Sequence, residues 1–351
     1  MRTQALALGL LVGSLISGAA LANPRGATVV HGTVSGLPIA GVNSPHMNIR
    51  SSAGEIINLD AFNIAPNEVT RFIQPNAASA VLNRVTGSDV SALMGQLQSN
   101  GRVFLINPNG IIVGQNAVID TSGFVASTLN MSDEDFIAGK LQFDGDGQSG
   151  SIENHGYIRV SEGGDILLVA PSITNAGTLV TDGGSLMLAA GESVTITSLD
   201  DTQVRFDLQA PEHEAVNLGE MITNGGAAAI FAGTIRNSGS ISADALSVDS
   251  AGNIQLVAQR DIDITQAARL SANGDSGGDI VSDSIAGDTR VSGNLAATGT
   301  RDNGGYVAVL GERVGLFGAA EVDVSGESGG GEALIGGDFQ GNNAAVHNAD
   351  H

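Results

Sequence analysis

The side chains with most chemistry to offer are scattered along this sequence. Asp144-Gly145-Asp146-Gly147 has the carboxylate–glycine alternation of a calcium loop. It lacks the further acidic ligands that Ca²⁺ coordination needs, so a solvated turn is expected. Six histidines are dispersed without metal-ligand spacing. Cysteine is absent, which removes thiolate nucleophiles and Cys-based metal sites. A carbohydrate-active site would need carboxylates grouped on one face. Asp and Glu are instead spread out, mostly beside glycines. No catalytic residue, metal or cofactor is expected.

One short segment has a definite conformational meaning. Asn107-Pro108-Asn109-Gly110-Ile111 reads as a strong turn. Pro108 suits position i+1, and Asn109 or Gly110 accepts a left-handed backbone. Apolar runs Val103 to Ile106 and Ile111 to Val113 flank it. By itself this is a plain turn between strands. Around it stand Gln74-Pro75-Asn76, then Val81-Leu82-Asn83-Arg84-Val85, then Gly123-Phe124-Val125-Ala126-Ser127-Thr128. Ser132-Asp133-Glu134-Asp135 before Phe136-Ile137 can cap a one-turn helix.

The elements that must hold these segments show as repeats. Gly163-Gly164-Asp165-Ile166-Leu167-Leu168-Val169-Ala170 recurs 20 residues later as Gly183-Gly184-Ser185-Leu186-Met187-Leu188-Ala189-Ala190. Ile152-Glu153-Asn154-His155-Gly156 recurs at Ile173-Thr174-Asn175-Ala176-Gly177. The Ile-x-Asn-x-Gly pattern returns at Ile222 and Ile235, and Gly-Gly pairs open runs at Gly277, Gly304 and Gly329. A period near 20 residues, made of short strands and tight turns, is one coil of a parallel β-helix. Val194-Thr195-Ile196-Thr197 and Ile262-Asp263-Ile264-Thr265 alternate as strands with one inward face. An antiparallel sandwich also has short strands, but it does not predict Asn-x-Gly followed by Gly-Gly in fixed order. The expectation is an all-β, right-handed parallel β-helix with an amino-terminal cap and short extra-helical excursions. Leu199 to Val216 and the Gly/Asp loop Phe143 to Gly150 are the expected excursions. Periodicity is lost over 336–351, after a rung that begins near Gly329 to Ile335; no closing cap is legible, as in a truncated or partial chain.

Composition agrees with stacked small aliphatics. Glycine is 49 of 351 residues, aromatics are 3%, and hydrophobic residues are 42%. That apolar content argues against general disorder. The formal net charge is −22, with Lys140 the single lysine, so nucleic acid and anionic membranes should be repelled. Met1 to Ala22 has the parts of a secretory signal: Arg2, an apolar core from Ala5 to Ile16, and the small residues Ala20-Leu21-Ala22. The apolar run is short and glycine-broken for a membrane span. Cleavage is expected before Asn23. The expected division is 1–22 signal peptide, 23–275 export domain and 276–351 further, irregular rungs.

Taken in order, the segments from Gln74 to Ile137 resemble the amino-terminal secretion domain of two-partner secretion exoproteins. This is the filamentous-haemagglutinin, or haemagglutination-activity, domain. The similarity is to the high-molecular-weight adhesin branch, although no Asn-Pro-Asn-Leu motif is present. The resemblance implies a secreted or surface-associated adhesin-like exoprotein of a Gram-negative bacterium, exported through the periplasm. It implies a cognate outer-membrane β-barrel transporter with periplasmic recognition domains as partner, and a host-cell or bacterial-surface receptor as a further class. It assigns secretion competence to Asn107, Pro108, Asn109, Gly110 and Ile111, supported by Gln74, Pro75, Asn76, Asn83 and Arg84. A polysaccharide-active enzyme and the stalk of a contact-dependent toxin system are the alternatives on this fold.

Overall fold

The computed structural model describes residues 23–37, 44–197, 206–208, 213–245 and 251–350. Each coil passes through two long parallel sheets, one of 19 and one of 12 strands among the described residues. Equivalent side chains stack from rung to rung. Ile158 pairs with Leu179, Leu179 with Met221, Met221 with Ile241, and Ile241 with Leu270. On the opposite sheet Ile166, Leu186, Ala228, Ile254, Ile280 and Val307 form a second column. These columns fill the coil with one continuous apolar core. The expected all-β parallel β-helix is the architecture of this chain.

The amino-terminal end is closed by reversed strands. Thr28–His31 runs antiparallel to Glu55–Leu59, and Val34–Ser35 antiparallel to His46–Ser51. A parallel stack exposes unpaired backbone groups at its ends, and a reversed strand satisfies them.

Two patterns of hydrophobicity have two structural causes. Ile166–Ala170 is buried at every position. Ile166 and Leu168 enter the coil, whereas Leu167 and Val169 join a second apolar cluster outside it. That outer cluster lies under the helix Asp133–Ile137 and a three-stranded antiparallel sheet of Leu141–Asp144, Ser193–Ile196 and Phe206–Leu208. Asn253–Ala258, further along, alternates buried and half-buried residues. The continuous apolar runs therefore mark strands covered on both faces.

Three sequence expectations need correction. Val194-Thr195-Ile196 alternates as a strand should, but it packs outside the coil, antiparallel to Leu141–Asp144. Period-two alternation reports one buried face and cannot say which core buries it. Phe143 is a fully buried member of that same patch, so the loop after it starts later than the sequence suggests. Ile222-Thr223-Asn224 is not a copy of Ile173-Thr174-Asn175. The equivalent rung is Ala215-Val216-Asn217, which begins inside the expected excursion Leu199 to Val216 and runs one residue past it. Most of that stretch, and the segment 1–22 with Ala20 and Ala22, lie outside the described residues. The terminal expectation meets a rung: Glu332–Ile335 pairs with Tyr306–Val309. Residues beyond it fold back, with Ala349 N–H donating to the Gly336 carbonyl and Asp350 N–H to the Glu312 carbonyl.

Glu55 is a buried carboxylate at the capped end. One oxygen accepts the Ser52 N–H at 2.9 Å; the other has no partner. Burial raises its carboxyl pKa, against the opposing pull of the Ser52 bonds and His31. A raised folded pKa contributes stability below the unfolded value and loses it as pH rises through the folded one. The charge thus costs stability at neutral pH. Glu55→Gln is expected to raise the unfolding free energy read from urea denaturation at pH 7 by on the order of 1 kcal/mol. The gain should vanish near pH ~4, where the wild-type carboxyl is itself protonated.

Candidate functional site

Three segments read as separate motifs fasten one strand, Arg102–Ile106. At its start, Gln74 Nε2 donates to the Arg102 carbonyl at 2.9 Å and to Ser99 Oγ at 3.0 Å. Its backbone is clasped to Asn100 in both directions, at 2.8 Å each. Gly101 leaves room for this clasp, because a Cβ there would stand 2.5 Å from the Gln74 side-chain carbon and would push the carboxamide aside. At mid-strand, the buried Asn83 donates through Nδ2 to the Phe104 carbonyl at 3.2 Å. At its end stands Asn107.

Asn107 is fully buried and uses its whole carboxamide. Nδ2 donates to the Asp89 carbonyl at 3.0 Å and to Ser91 Oγ at 2.9 Å. Oδ1 accepts from Asn109 N–H at 3.0 Å and Asn109 Nδ2 at 2.9 Å. The turn closes by Gly110 N–H donating to the Asn107 carbonyl at 3.1 Å. Gly110 carries the positive φ, 126°; Asn109 does not, which settles the choice the sequence left open. Pro108 and Asn109 are exposed, and Asn109 Nδ2 also reaches the Gly87 carbonyl at 2.8 Å. Ile111 then enters the coil core, between Ser91 and Ile152 of the adjoining rungs. Sequence reasoning missed the loop Gly87 to Ser91, which supplies three of these partners. Its polar residues carry no signal until the register brings Ser91 beside Ile111.

The supporting residues divide by role. Asn76 Oδ1 accepts Ala78 N–H and Ser79 N–H, each at 3.0 Å, and so shapes its own turn; Pro75 is exposed beside it. Arg84 points outward from its strand. It donates to the Met131 carbonyl at 2.7 Å and pairs with Asp133 at 2.8 Å. It thereby pins the first turn of the helix Asp133–Ile137, which Ser132 caps through Asp135 N–H at 3.0 Å. Asn23 is buried with φ 72°, and its side chain donates to the Ser44 carbonyl and accepts from Thr70 Oγ1.

Gly-x-Ser-x-Gly occurs twice, at 274–278 and 326–330. A nucleophile elbow needs a strand-to-helix turn and a base. Ser276 Oγ instead donates to Asp302 at 3.1 Å, and Ser328 Oγ to the Arg301 carbonyl at 2.8 Å. Among the described residues, no three His, Asp or Glu side chains cluster as a metal site.

Residues 23–282 match the family model of the TPS secretion domain, the two-partner secretion domain. The chain belongs to this family. The crystal structure of the HMW1 secretion domain from Haemophilus influenzae superposes with a TM-score of 0.81 at 36% identity, over 89% of this chain and 86% of that one. A heme/hemopexin-binding protein of H. influenzae strain Rd is 27% identical over 210 residues, 58% of this chain and 23% of that protein. A second heme/hemopexin-binding protein from the same species is 33% identical over 126 residues, 35% of this chain and 14% of that protein. The chain thus spans under a quarter of these relatives' length. It carries a TPS secretion domain, with the HMW1 secretion domain as a structural neighbour.

Proposed function

We propose that this TPS domain directs its exoprotein through a cognate outer-membrane β-barrel transporter and seeds β-helix folding outside the cell. The periplasmic recognition domains of that transporter are the direct partner. Residues 1–22 serve as a signal removed before Asn23, residues 23–275 form the export domain, and 276–351 continue the stack. The exoprotein is adhesin-like and reaches the surface or the medium.

The observation that carries this reading is the fastening of Arg102–Ile106 by Gln74, Asn83 and Asn107. Arg102–Ile106 is hydrogen-bonded to Ala80–Val85 on one side and Gly123–Ser127 on the other. Once it is locked, each later coil can add to the one before by nearest-neighbour stacking. That supplies free energy outside the cell, where no ATP is available. The enzyme alternative gains nothing from the acidic residues with the tightest contacts. Asp244 accepts from Ser242, Ser271 and Asn273, and Asp288 from Arg290 and Arg313, so these carboxylates tie rungs together.

The test is secretion of Asn107→Ala and Asn109→Ala alongside wild type. Asn107→Ala orphans the buried Ser91 hydroxyl and Asp89 carbonyl and is expected to cut export by about tenfold or more. Asn109→Ala removes an exposed clasp and should reduce export less. Normal export of both overturns the assignment.

A further inference from the structure

A groove of about 700 Å³ runs along the outside of the later rungs, away from the Asn107 turn. At one corner of successive coils the same backbone N–H donates to the rung before it, at Leu218, Ser238, Thr265, Ser292 and Phe317. Leu218 and Phe317, 54% and 53% exposed, stand at the two ends of this column. Between them are three hydroxyl residues. Four rung steps at about 4.8 Å each separate the ends by roughly 19 Å.

Beside the column runs a row of outward side chains, Arg236, Asp263 and Arg290, ending at Gly315. A Cβ on Gly315 would lie 2.5 Å from Phe317 Cε2. The phenyl ring therefore lies back over Gly315, at the end of the row, while half of it stays open to solvent. The charges in the row are compensated. Arg236 pairs with Glu214 at 2.9 Å and Arg290 with Asp263 at 3.2 Å. The groove is thus locally neutral on a chain of net charge −22. Ser292 Oγ has no partner among the described residues, and Ser238 Oγ accepts from Thr265 with its own proton left to donate.

We propose that this groove binds an uncharged linear oligosaccharide laid along the β-helix axis. A sugar ring offers a C–H face to an aromatic ring and hydroxyls to hydroxyl and planar charged groups. Here the ring sits at one end, the hydroxyls fill the middle, and the paired guanidinium–carboxylate groups form one wall. An anionic chain would meet compensated cations within a strongly negative field, so neutrality of the ligand follows from charge. The groove shares no residue with the Arg102–Ile106 fastening, so this site and the export role stand or fall separately.

The test is titration calorimetry of the folded chain with neutral probes: cellohexaose, laminarihexaose, maltohexaose and chitohexaose. Oligogalacturonate serves as the charged contrast. At least one neutral probe should bind and oligogalacturonate should not. Phe317→Ala should weaken binding by about tenfold and Phe317→Trp should preserve it. The side chain is half exposed, so the thermal midpoint should stay put in both variants. Binding by none of the neutral probes, preference for oligogalacturonate, or equal affinity in Phe317→Ala overturns the proposal.

Discussion

Gly226→Ala is expected to destabilise the coil by at least about 3 kcal/mol, the upper end for over-packing. Gly164, Gly184, Gly226, Gly252, Gly278, Gly305 and Gly331 form a column; from Gly184 onward each sits against the carbonyl oxygen of the glycine one rung below, and Gly164 sits against the Ser122 carbonyl. A methyl on Gly226 would overlap the Gly184 carbonyl, and both partners are backbone held by neighbouring rungs. Neither can move alone. Gly183→Ala is the control. Space around Gly183 is open, but its φ is 72°, so it should cost only about 1–2 kcal/mol for the left-handed conformation. Guanidinium unfolding of the two variants checks the order. Equal losses would mean that conformation, and not rung spacing, requires glycine in this column.

The second large effect lies inside the coil. Asn154 Nδ2 donates to Asn175 Oδ1 at 2.8 Å, Asn175 to Asn217 at 2.8 Å, and Asn217 to Asn237 at 2.7 Å. All four are fully buried. Val113 precedes the ladder and Ile264 follows it, so it is a polar insert in an apolar column. Asn175→Leu would orphan the Asn154 donor and the Asn217 acceptor. At about 1–3 kcal/mol per orphaned group, the expected loss is roughly 2–6 kcal/mol. Thr174→Ala, one residue away and half-buried, should stay within about 0.5 kcal/mol. Denaturant midpoints of the two variants decide it. A loss in Asn175→Leu no larger than in Thr174→Ala would show that the ladder adds nothing.

These two columns explain what the sequence could and could not reveal. Gly-Gly and Ile-x-Asn-x-Gly were legible as repeats because stacking leaves no room for a side chain at Gly184 and pairs Asn175 with its own copies. Local spacing then misplaced one copy, at Ile222, since Asn224-Gly225 has the composition of a corner without its position in the stack. The outer patch was hidden for a related reason. Val194 and Ile196 alternate identically whether the apolar face meets the coil or its outside. For the candidate site, the turn Asn107 to Gly110 was legible from proline and glycine alone. Its purpose was not, because the partners of Asn107 are a backbone carbonyl and a hydroxyl from Asp89 and Ser91, brought near only by the register.

The most direct test of the central claim is export of the intact chain in a Gram-negative host, with and without its cognate barrel transporter. The prediction is folded, protease-resistant chain outside the cell only when the transporter is present. Equal appearance outside without the transporter, or retention in the periplasm with it, would contradict the account.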